Sequence, residues 1–488
     1  VSLINVNNLT FSYPGCYENI FENVNFQIDT DWKLGFIGRN GKGKTTFLNL
    51  LLGKYEFSGK ITSTVNFQYF PFHVSDTTMN ALDVVENLIP DYEYWMLIRE
   101  LNYLEVSEEI LYRPFSTLSN GEQTKLLLAT LFLKDNSFLL IDEPTNHLDQ
   151  KGREIVSNYL NKKKGFILVS HDRAFLDSSV DHILSINRTS IEIQQGNFSS
   201  WFENKKRIDN FEITTNEKLK KEISRLKTSA KEKATWSHRI EASKFGSGSA
   251  DRGYIGHKAA KMMKRSKTIE KHQNDAIEAK SKLLKNIEPS ESLQIHQLSF
   301  YNDTLITLSD ISIFYNGVSV CEKIGFNIEI GDRVALCGKN GSGKSSILKL
   351  ICGESITFNG TLENNNQVKI SYVSQNTDDL QGHLSDFIYD NSIDENLFRS
   401  MLIKLDFSRS QFEKEIQFFS SGQKKKILIA KSLCEKAHLL VWDEPLNYID
   451  VISRMQIENL LLEFKPTIIF VEHDAMFCNK IATKTVLL

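Results

Sequence analysis

The chain has 488 residues, 41% hydrophobic and 24% charged, with a net charge of −3 from 58 basic and 61 acidic residues. At roughly 150 residues per domain this length predicts about three folded units, and the apolar share excludes a wholly disordered chain. No stretch approaches the ~18 consecutive apolar residues of a membrane span. Val1–Thr10 lack the basic start and apolar core of a secretory signal, which predicts a cytoplasmic location. The six cysteines form no CxxC pattern and no metal-ligand spacing, so they read as reduced structural thiols.

Short apolar runs alternate with helical patterns from the start of the chain. Tyr13 lies ahead of the first glycine-rich loop, where its ring can stack on a base or pack in the core. Leu34–Ile37 predicts a buried strand feeding Gly38-Arg39-Asn40-Gly41-Lys42-Gly43-Lys44-Thr45-Thr46, and Phe47–Leu52 continues as an apolar helix. The loop fits G-x-x-x-x-G-K-[ST]: its glycines let backbone N–H groups converge on phosphate oxygens without a Cβ in the way. Lys44 supplies a point charge at the β/γ-phosphates, Thr45 offers a hydroxyl to Mg2+, and the helix N-terminus points its dipole at the anion. Ser119-Asn120-Gly121-Glu122 opens a helix running to Leu133; serine plus glycine there makes a second anion site, although an ordinary N-cap has the same pattern. The strand Phe138–Ile141 ends at Asp142, a strand-edge carboxylate suited to holding Mg2+, and Glu143 follows, placed to orient or deprotonate water. A further strand, Phe166–Val169, leads to His171. Strands feeding helices predict an α/β fold with a mainly parallel sheet.

The middle of the chain changes character. Between Glu203 and Lys285 there are 22 Lys and Arg against 11 Asp and Glu, which leaves +11 here and −14 elsewhere. Ile208, Phe211, Leu219, Ile223 and Leu226 fit one helical stripe up to about Ala242, and a second stripe runs from His257 to Ile287. Four glycines between Ser243 and Gly256 break the pattern, so the segment predicts an antiparallel helical hairpin with a flexible tip. Forty residues of helix reach roughly 60 Å. Lys244, Arg252, Lys258, Lys261, Lys264, Arg265 and Lys267, with Phe245, Tyr254 and His257, are the charges and rings that would meet RNA phosphates and bases; a solvated charged face is the plainer alternative.

The second half then repeats the first. Gly338-Lys339-Asn340-Gly341-Ser342-Gly343-Lys344-Ser345-Ser346 follows the first loop at an offset of 300, Ser420-Ser421-Gly422-Gln423 follows the serine-glycine motif at 301, Asp443-Glu444 the acidic pair at 301, and His473 the histidine at 302. Tyr315 takes the place of Tyr13. Such ordered recurrence marks a tandem duplication. The predicted domains are 1–202, a basic hairpin linker 203–290 with its tip at 243–256, and 296–488.

Phosphate loop, serine-glycine signature, Asp-Glu pair and histidine, in that order and twice, resemble the ATP-binding cassette (ABC) ATPases. Two cassettes fused by a charged linker resemble the ABC-F family of ribosome-associated ATPases. The resemblance implies a head-to-tail arrangement in which each ATP lies between one phosphate loop and the signature of the other half. One site would combine Lys44, Asp142, Glu143 and His171 with Ser420, Gly422 and Gln423. The other would combine Lys344, Asp443, Glu444 and His473 with Ser119, Gly121 and Glu122. Glu143, His171, Glu444 and His473 would be catalytic; Thr45, Asp142, Ser345, Gln375 and Asp443 would hold Mg2+. Two places depart from the pattern: in the first half Tyr69-Phe70-Pro71-Phe72 stands against Tyr372-Val373-Ser374-Gln375, and in the second Leu446-Asn447-Tyr448 replaces Thr145-Asn146-His147. The two sites need not be equivalent, and slower hydrolysis is expected at the first.

Near-equal gaps from phosphate loop to signature (74 and 75 residues) leave no room for the extra arm of the family's housekeeping factors, and the chain resembles the Lsa-type antibiotic-resistance group. That implies a monomer that binds ATP and Mg2+ and engages the bacterial 70S ribosome, its linker entering the tRNA exit site towards 23S rRNA and the P-site tRNA, with no membrane subunit and no DNA. Protection against lincosamides, pleuromutilins and streptogramin A drugs would follow. The alternatives are a translation factor for stalled ribosomes without a resistance role and, more remotely, the ATPase motor of a membrane transporter or a DNA-associated ATPase.

Overall fold

A computed structural model describes residues 2–14, 19–134, 136–146, 148–187, 190–242, 298, 300–315, 317–339, 341–364, 367–405, 407 and 409–488. It divides into two compact units, Val1–Trp201 with Ser292–Leu488, and Phe202–Glu291. The tip, the second linker helix and Asn340 lie outside the described residues. No helix among the described residues is long and apolar enough to cross a membrane.

Among the described residues the first half contributes nine strands: β1 (Leu3–Phe11), β2 (Phe21–Asp29), β3 (Lys33–Ile37), β4 (Ser58–Thr62), β5 (Asn66–Phe70), β6 (Ser137–Asp142), β7 (Phe166–Val169), β8 (His182–Asn187) and β9 (Ser190–Gln195). The second contributes β10 (Thr304–Tyr315), β11 (Val318–Glu329), β12 (Arg333–Cys337), β13 (Thr357–Asn364), β14 (Ile370–Val373), β15 (Leu439–Asp443), β16 (Ile468–Val471) and β17 (Lys484–Leu487). The main sheets run β5-β6-β7-β3-β8-β9 and β14-β15-β16-β12-β17, parallel except for the β8–β9 pair. A three-stranded antiparallel sheet accompanies each, β2-β1-β4 and β11-β10-β13.

Central parallel strands are covered on both faces, so they read as continuous apolar runs rather than alternating ones. Every residue of β7 and of β16 is buried accordingly. In each half the glycine-rich loop, the acidic pair and the histidine all follow the C-terminal ends of neighbouring strands, the edge where open α/β sheets bind ligands. Behind the first loop, Phe47 on the helix Lys44–Leu51 meets Phe21, Phe26 and Phe36 at ring-centroid distances of 5.5–6.0 Å. The second half fills the same place with Leu336 and Ile347, both fully buried. Burying such a side chain stabilises by about 1.5–3 kcal/mol and holds the loop's helix on its sheet.

The linker begins as one 45-residue helix, Phe198–Ala242, about 67 Å long at 1.5 Å per residue. It starts five residues before the predicted boundary because Phe198 and Trp201 are buried and their rings pack at 5.7 Å, while the Ser199 amide donates to Asp177 Oδ1 at 2.7 Å. Along this helix Ile223 is buried, whereas Ile208 and Phe211 are 57% and 73% exposed.

Candidate active site

Both glycine-rich loops close into a helix through a left-handed glycine. At Gly43 φ is 96°, and a Cβ there would come within 2.6 Å of Ile20 and 3.0 Å of Phe21, so only glycine lets the loop sit this close to β2. Lys44 Nζ donates to the Gly38 carbonyl at 2.7 Å, and Lys344 Nζ to those of Gly338 at 2.9 Å and Lys339 at 2.8 Å. Burial, offset in part by neighbouring carboxylates, lowers the pKa of both lysines.

Hydroxyl and carboxylate meet at the foot of each loop. Ser345 Oγ donates to Asp443 Oδ1 at 3.1 Å, and Thr45 Oγ1 to Asp142 Oδ2 at 3.4 Å. These are hard oxygen donors of the kind Mg2+ takes alongside water and phosphate oxygens, so the residues fit that ion. Tyr69, which the sequence did not single out, donates its hydroxyl to the same Asp142 Oδ2 at 3.0 Å. Strand register aligns the two halves: Tyr69 pairs with Leu140 and Tyr372 with Val441, each two residues before the aspartate. Phe72 therefore stands where the second half has Gln375.

That difference changes the surroundings of the two glutamates. Glu444 receives Gln375 Nε2 at 2.9 Å and Asn447 Nδ2 at 2.5 Å, and His473 Nε2 lies 3.5 Å away. Burial pushes Glu444 up, but the hydrogen bond and charge of His473, with the Gln375 hydrogen bond, outweigh it and hold the carboxyl below its usual range. Among the described residues, the two carboxylate oxygens of Glu143 are buried without a hydrogen-bond partner; His171 Nε2 is 3.3 Å from Oε1 but not in bonding geometry. Burial, reinforced by the charge of Asp142, pushes the Glu143 carboxyl up to about 8. His171 is driven well below its usual value by burial and by Lys44.

The halves face one another head to tail. Asn40 Nδ2 donates to the Tyr448 carbonyl at 2.6 Å, and the Asn40 amide points at Asp450 Oδ2 at 3.4 Å. Gly422 lies directly behind: a Cβ on it would meet the Tyr448 carbonyl oxygen and come within 2.8 Å of Asn40 Nδ2. Across the molecule a cavity of about 910 Å³ is lined by Lys339, Gly343, Lys344, Ser345, Gln375, Glu444 and His473 from the second half, and by Ser119, Gly121, Glu122 and Asp149 from the first. The serines Ser119 and Ser420 each cap their helix in a reciprocal box with Glu122 and Gln423. Tyr13 donates or accepts a 2.8 Å hydrogen bond with Thr46 Oγ1 and packs edge-on against Phe11 and Tyr55, whereas Tyr315 is 44% exposed at the end of β10.

Three structural partners escaped the sequence. Lys425, 1% exposed, donates to the carbonyls of Ser374 at 2.7 Å and Asp443 at 3.3 Å, tying the signature helix to the segment carrying Gln375. Lys426 pairs with Asp450 at 3.2 Å. Arg173 forms a buried ion pair with Glu458 and lies 3.6 Å from Asp474, joining the two halves. The sequence signal for the first two is weak, three lysines running into an apolar helical stretch at Lys424-Lys425-Lys426-Ile427-Leu428; Arg173 has none, because its repeat position is Ala475.

A family model described as ABC transporter matches residues 21–146 and again 321–447. The chain belongs to that family, and it is an ATP-hydrolysing protein with the family's cassette present twice. Among its relatives are members of the ABC-F group. It is 27% identical to the ribosome protection protein VmlR of Bacillus subtilis, over 98% of this chain and 85% of that one. It is 24% identical to ABC transporter F family member 2 of Arabidopsis thaliana, over 99% and 76%. Its fold is that of the archaeal ribosome recycling factor aABCE1, solved in complex with the ribosomal stalk protein aP1, at a TM-score of 0.65 and 18% identity over 98% of this chain and 87% of that one.

Proposed function

We propose that this protein binds the bacterial 70S ribosome in its ATP-closed form and protects the peptidyl-transferase centre from lincosamide, pleuromutilin and streptogramin A drugs. The observation that carries the reading is the net +11 segment between Glu203 and Lys285, inserted between two cassettes in a chain otherwise at −14 and related along its length to a ribosome protection protein. Lys and Arg neutralise phosphates and release counterions, so such an arm gains affinity for structured RNA. In this reading the linker enters by the tRNA exit site and promotes drug release, and hydrolysis lets the protein leave.

At each ATP site the residues divide the work. The loop amides and Lys44 or Lys344 grip the phosphates, while Thr45 with Asp142, and Ser345 with Asp443 and Gln375, would hold Mg2+. When bound, that ion would neutralise charge on the transferring phosphate. Glu444, held as a carboxylate by its amide and imidazole neighbours, orients and deprotonates the attacking water. His473 contacts the γ-phosphate, and Ser119 and Gly121 close the site from the other half. Glu143, His171, Ser420 and Gly422 do the same around Lys44, with a base that starts largely protonated.

Expression in a drug-sensitive bacterium tests the resistance step. The inhibitory concentration of a lincosamide or pleuromutilin should rise several-fold with the native protein and not with Glu143→Gln/Glu444→Gln. An unchanged inhibitory concentration, with ribosome binding intact, would favour a general factor for stalled ribosomes.

A further inference from the structure

The two halves are joined at one more place, beside the second ATP site. Arg153 stands on the helix Gln150–Asn161 of the first half, its side chain 13% exposed. Nε donates to the Leu148 carbonyl at 3.1 Å and Nη1 to Asp172 Oδ2 at 2.9 Å, so two acceptors of its own half fix the guanidinium. Nη1 carries two N–H groups, and it also reaches across the halves to the His473 carbonyl at 3.3 Å. The same histidine is held on its other side from within the second half. Its amide donates to Glu472 Oε2 at 3.1 Å, and Glu472 Oε1 accepts the Leu446 amide at 2.6 Å. Asp172 follows His171 in the chain, so one nitrogen spans the turns of both histidines. The repeat position makes no such reach. Arg454 Nε donates to the Ile449 carbonyl at 2.9 Å, as Arg153 does to Leu148, but its Nη1 stops 3.5 Å from Asp474 Oδ2. That oxygen has no hydrogen-bond partner among the described residues, and Arg173 of the first half lies 3.6 Å from it as well.

We propose that Arg153 is a positioning residue for the second ATP site, supplied by the first half, and that it sets the place of His473. This rests on the reading of His473 as the side chain that meets the γ-phosphate. A carbonyl held by a fixed guanidinium and an amide held by the buried Glu472 leave the His473 backbone little freedom. Its imidazole, 3.5 Å from Glu444, takes its direction from that backbone. Removing Arg153 opens one side of the clamp. A misplacement of about 1 Å at a reacting group costs up to about 10²-fold in rate, so a residue that never touches nucleotide can decide turnover. The phosphates are gripped by the loop amides and Lys344, which Arg153 does not contact, so the loss falls on kcat rather than on KM. Arginine suits the place because its planar fork meets three acceptors at fixed angles, which a lysine ammonium does not.

Turnover is measured on the full-length protein in two backgrounds: Glu143→Gln, which leaves the second site its base, and Glu444→Gln, which leaves the first. Arg153→Met keeps the aliphatic stem and removes the fork. With Glu143→Gln it should lower kcat at least about five-fold and leave KM within about two-fold. With Glu444→Gln the loss should stay within about two-fold, whereas a merely structural role would weigh first on the half that contains Arg153 and Asp172. Arg153→Met/Asp172→Asn strands no buried carboxylate, so it carries the test if the single variant does not fold; the same loss at the second site is expected. Amide exchange read by mass spectrometry reports on the contact without nucleotide: the peptide containing His473 should exchange faster in the variant. His473→Ala with Glu143→Gln separates the proposal from the reading beneath it. If His473→Ala lowers turnover and Arg153→Met does not, the positioning role fails alone. If neither lowers it, the assignment of His473 fails and the positioning role with it. Equal losses in the two backgrounds, or unchanged exchange around His473, would also overturn the proposal.

Discussion

Glu143 and Glu444 follow equivalent strands and equivalent aspartates, yet Glu444 is partnered by two amides and a histidine, while among the described residues the oxygens of Glu143 find no side-chain donor. One of the two amides is missing because Phe72 stands in place of glutamine. A general base contributes about 10²–10⁴-fold only when it is ionised and positioned. Glu444→Gln should therefore reduce ATP turnover by about ten-fold or more, and Glu143→Gln by less than about two-fold. Steady-state phosphate release from the two variants decides the point, and equal losses would contradict the asymmetry. Phe72→Gln returns an amide to the first site, so in a Glu444→Gln background it should raise the residual turnover; a further drop would show that the phenylalanine supports that site.

The duplication, the parallel strands and the loop motifs were legible in the sequence because each leaves a local signal: an apolar run, a glycine spacing, an acid at a strand end. The departure at Phe72 was visible too, once the halves were aligned. What could not be read were contacts between distant segments, such as Tyr69 on Asp142, Lys425 on Ser374 and Arg173 on Glu458, since side chains far apart in sequence meet only through the fold. Burial along the linker helix was not legible for a related reason. Periodicity reports which residues share a helix face and says nothing of whether that face is covered: Ile223 is buried, and Ile208 and Phe211 are exposed.

Among the elements, the signature helix Ser421–Cys434 does more than present Ser420. Its buried Lys425 joins the segment before Gln375 to the strand of Asp443, and burial pushes this ammonium down to about 8 despite the carboxylates around it. Unfolding rehydrates the amine and returns it to about 10.4. Between those values the unfolded chain holds a proton that the folded chain has released, so this group's contribution to stability rises with pH across that window. The stability of the native protein relative to Lys425→Met, read from denaturant unfolding, should be higher near pH 9.5 than near pH 7.5, by on the order of 2 kcal/mol. An identical difference at both pH values would mean that Lys425 does not titrate there. The variant should also lower turnover with Glu444 intact, because Gln375 loses its anchor.

At the scale of the molecule, an ion pair that joins the halves breaks the repeat. Arg153–Asp172 and Arg454–Asp474 pair within each half and are repeats of each other, whereas Arg173–Glu458, between the halves, has no counterpart. Breaking a buried pair costs about 3–5 kcal/mol because it strands the remaining charge, here relieved in part by Lys480, 3.0 Å from Glu458. A double-mutant cycle of Arg173→Ala and Glu458→Ala should show a coupling of about 1–3 kcal/mol in thermal or denaturant stability, and additive losses would contradict a direct pair.

The central claim is that ATP-driven closure of these two cassettes presents the basic linker to a ribosome. Co-sedimentation of Glu143→Gln/Glu444→Gln with bacterial 70S ribosomes, with and without ATP and across a salt series, tests it most directly. The account predicts strong pelleting only with ATP, weakening as salt rises because phosphate contacts carry much of the affinity. A variant that binds ATP yet remains in the supernatant at low salt would contradict it.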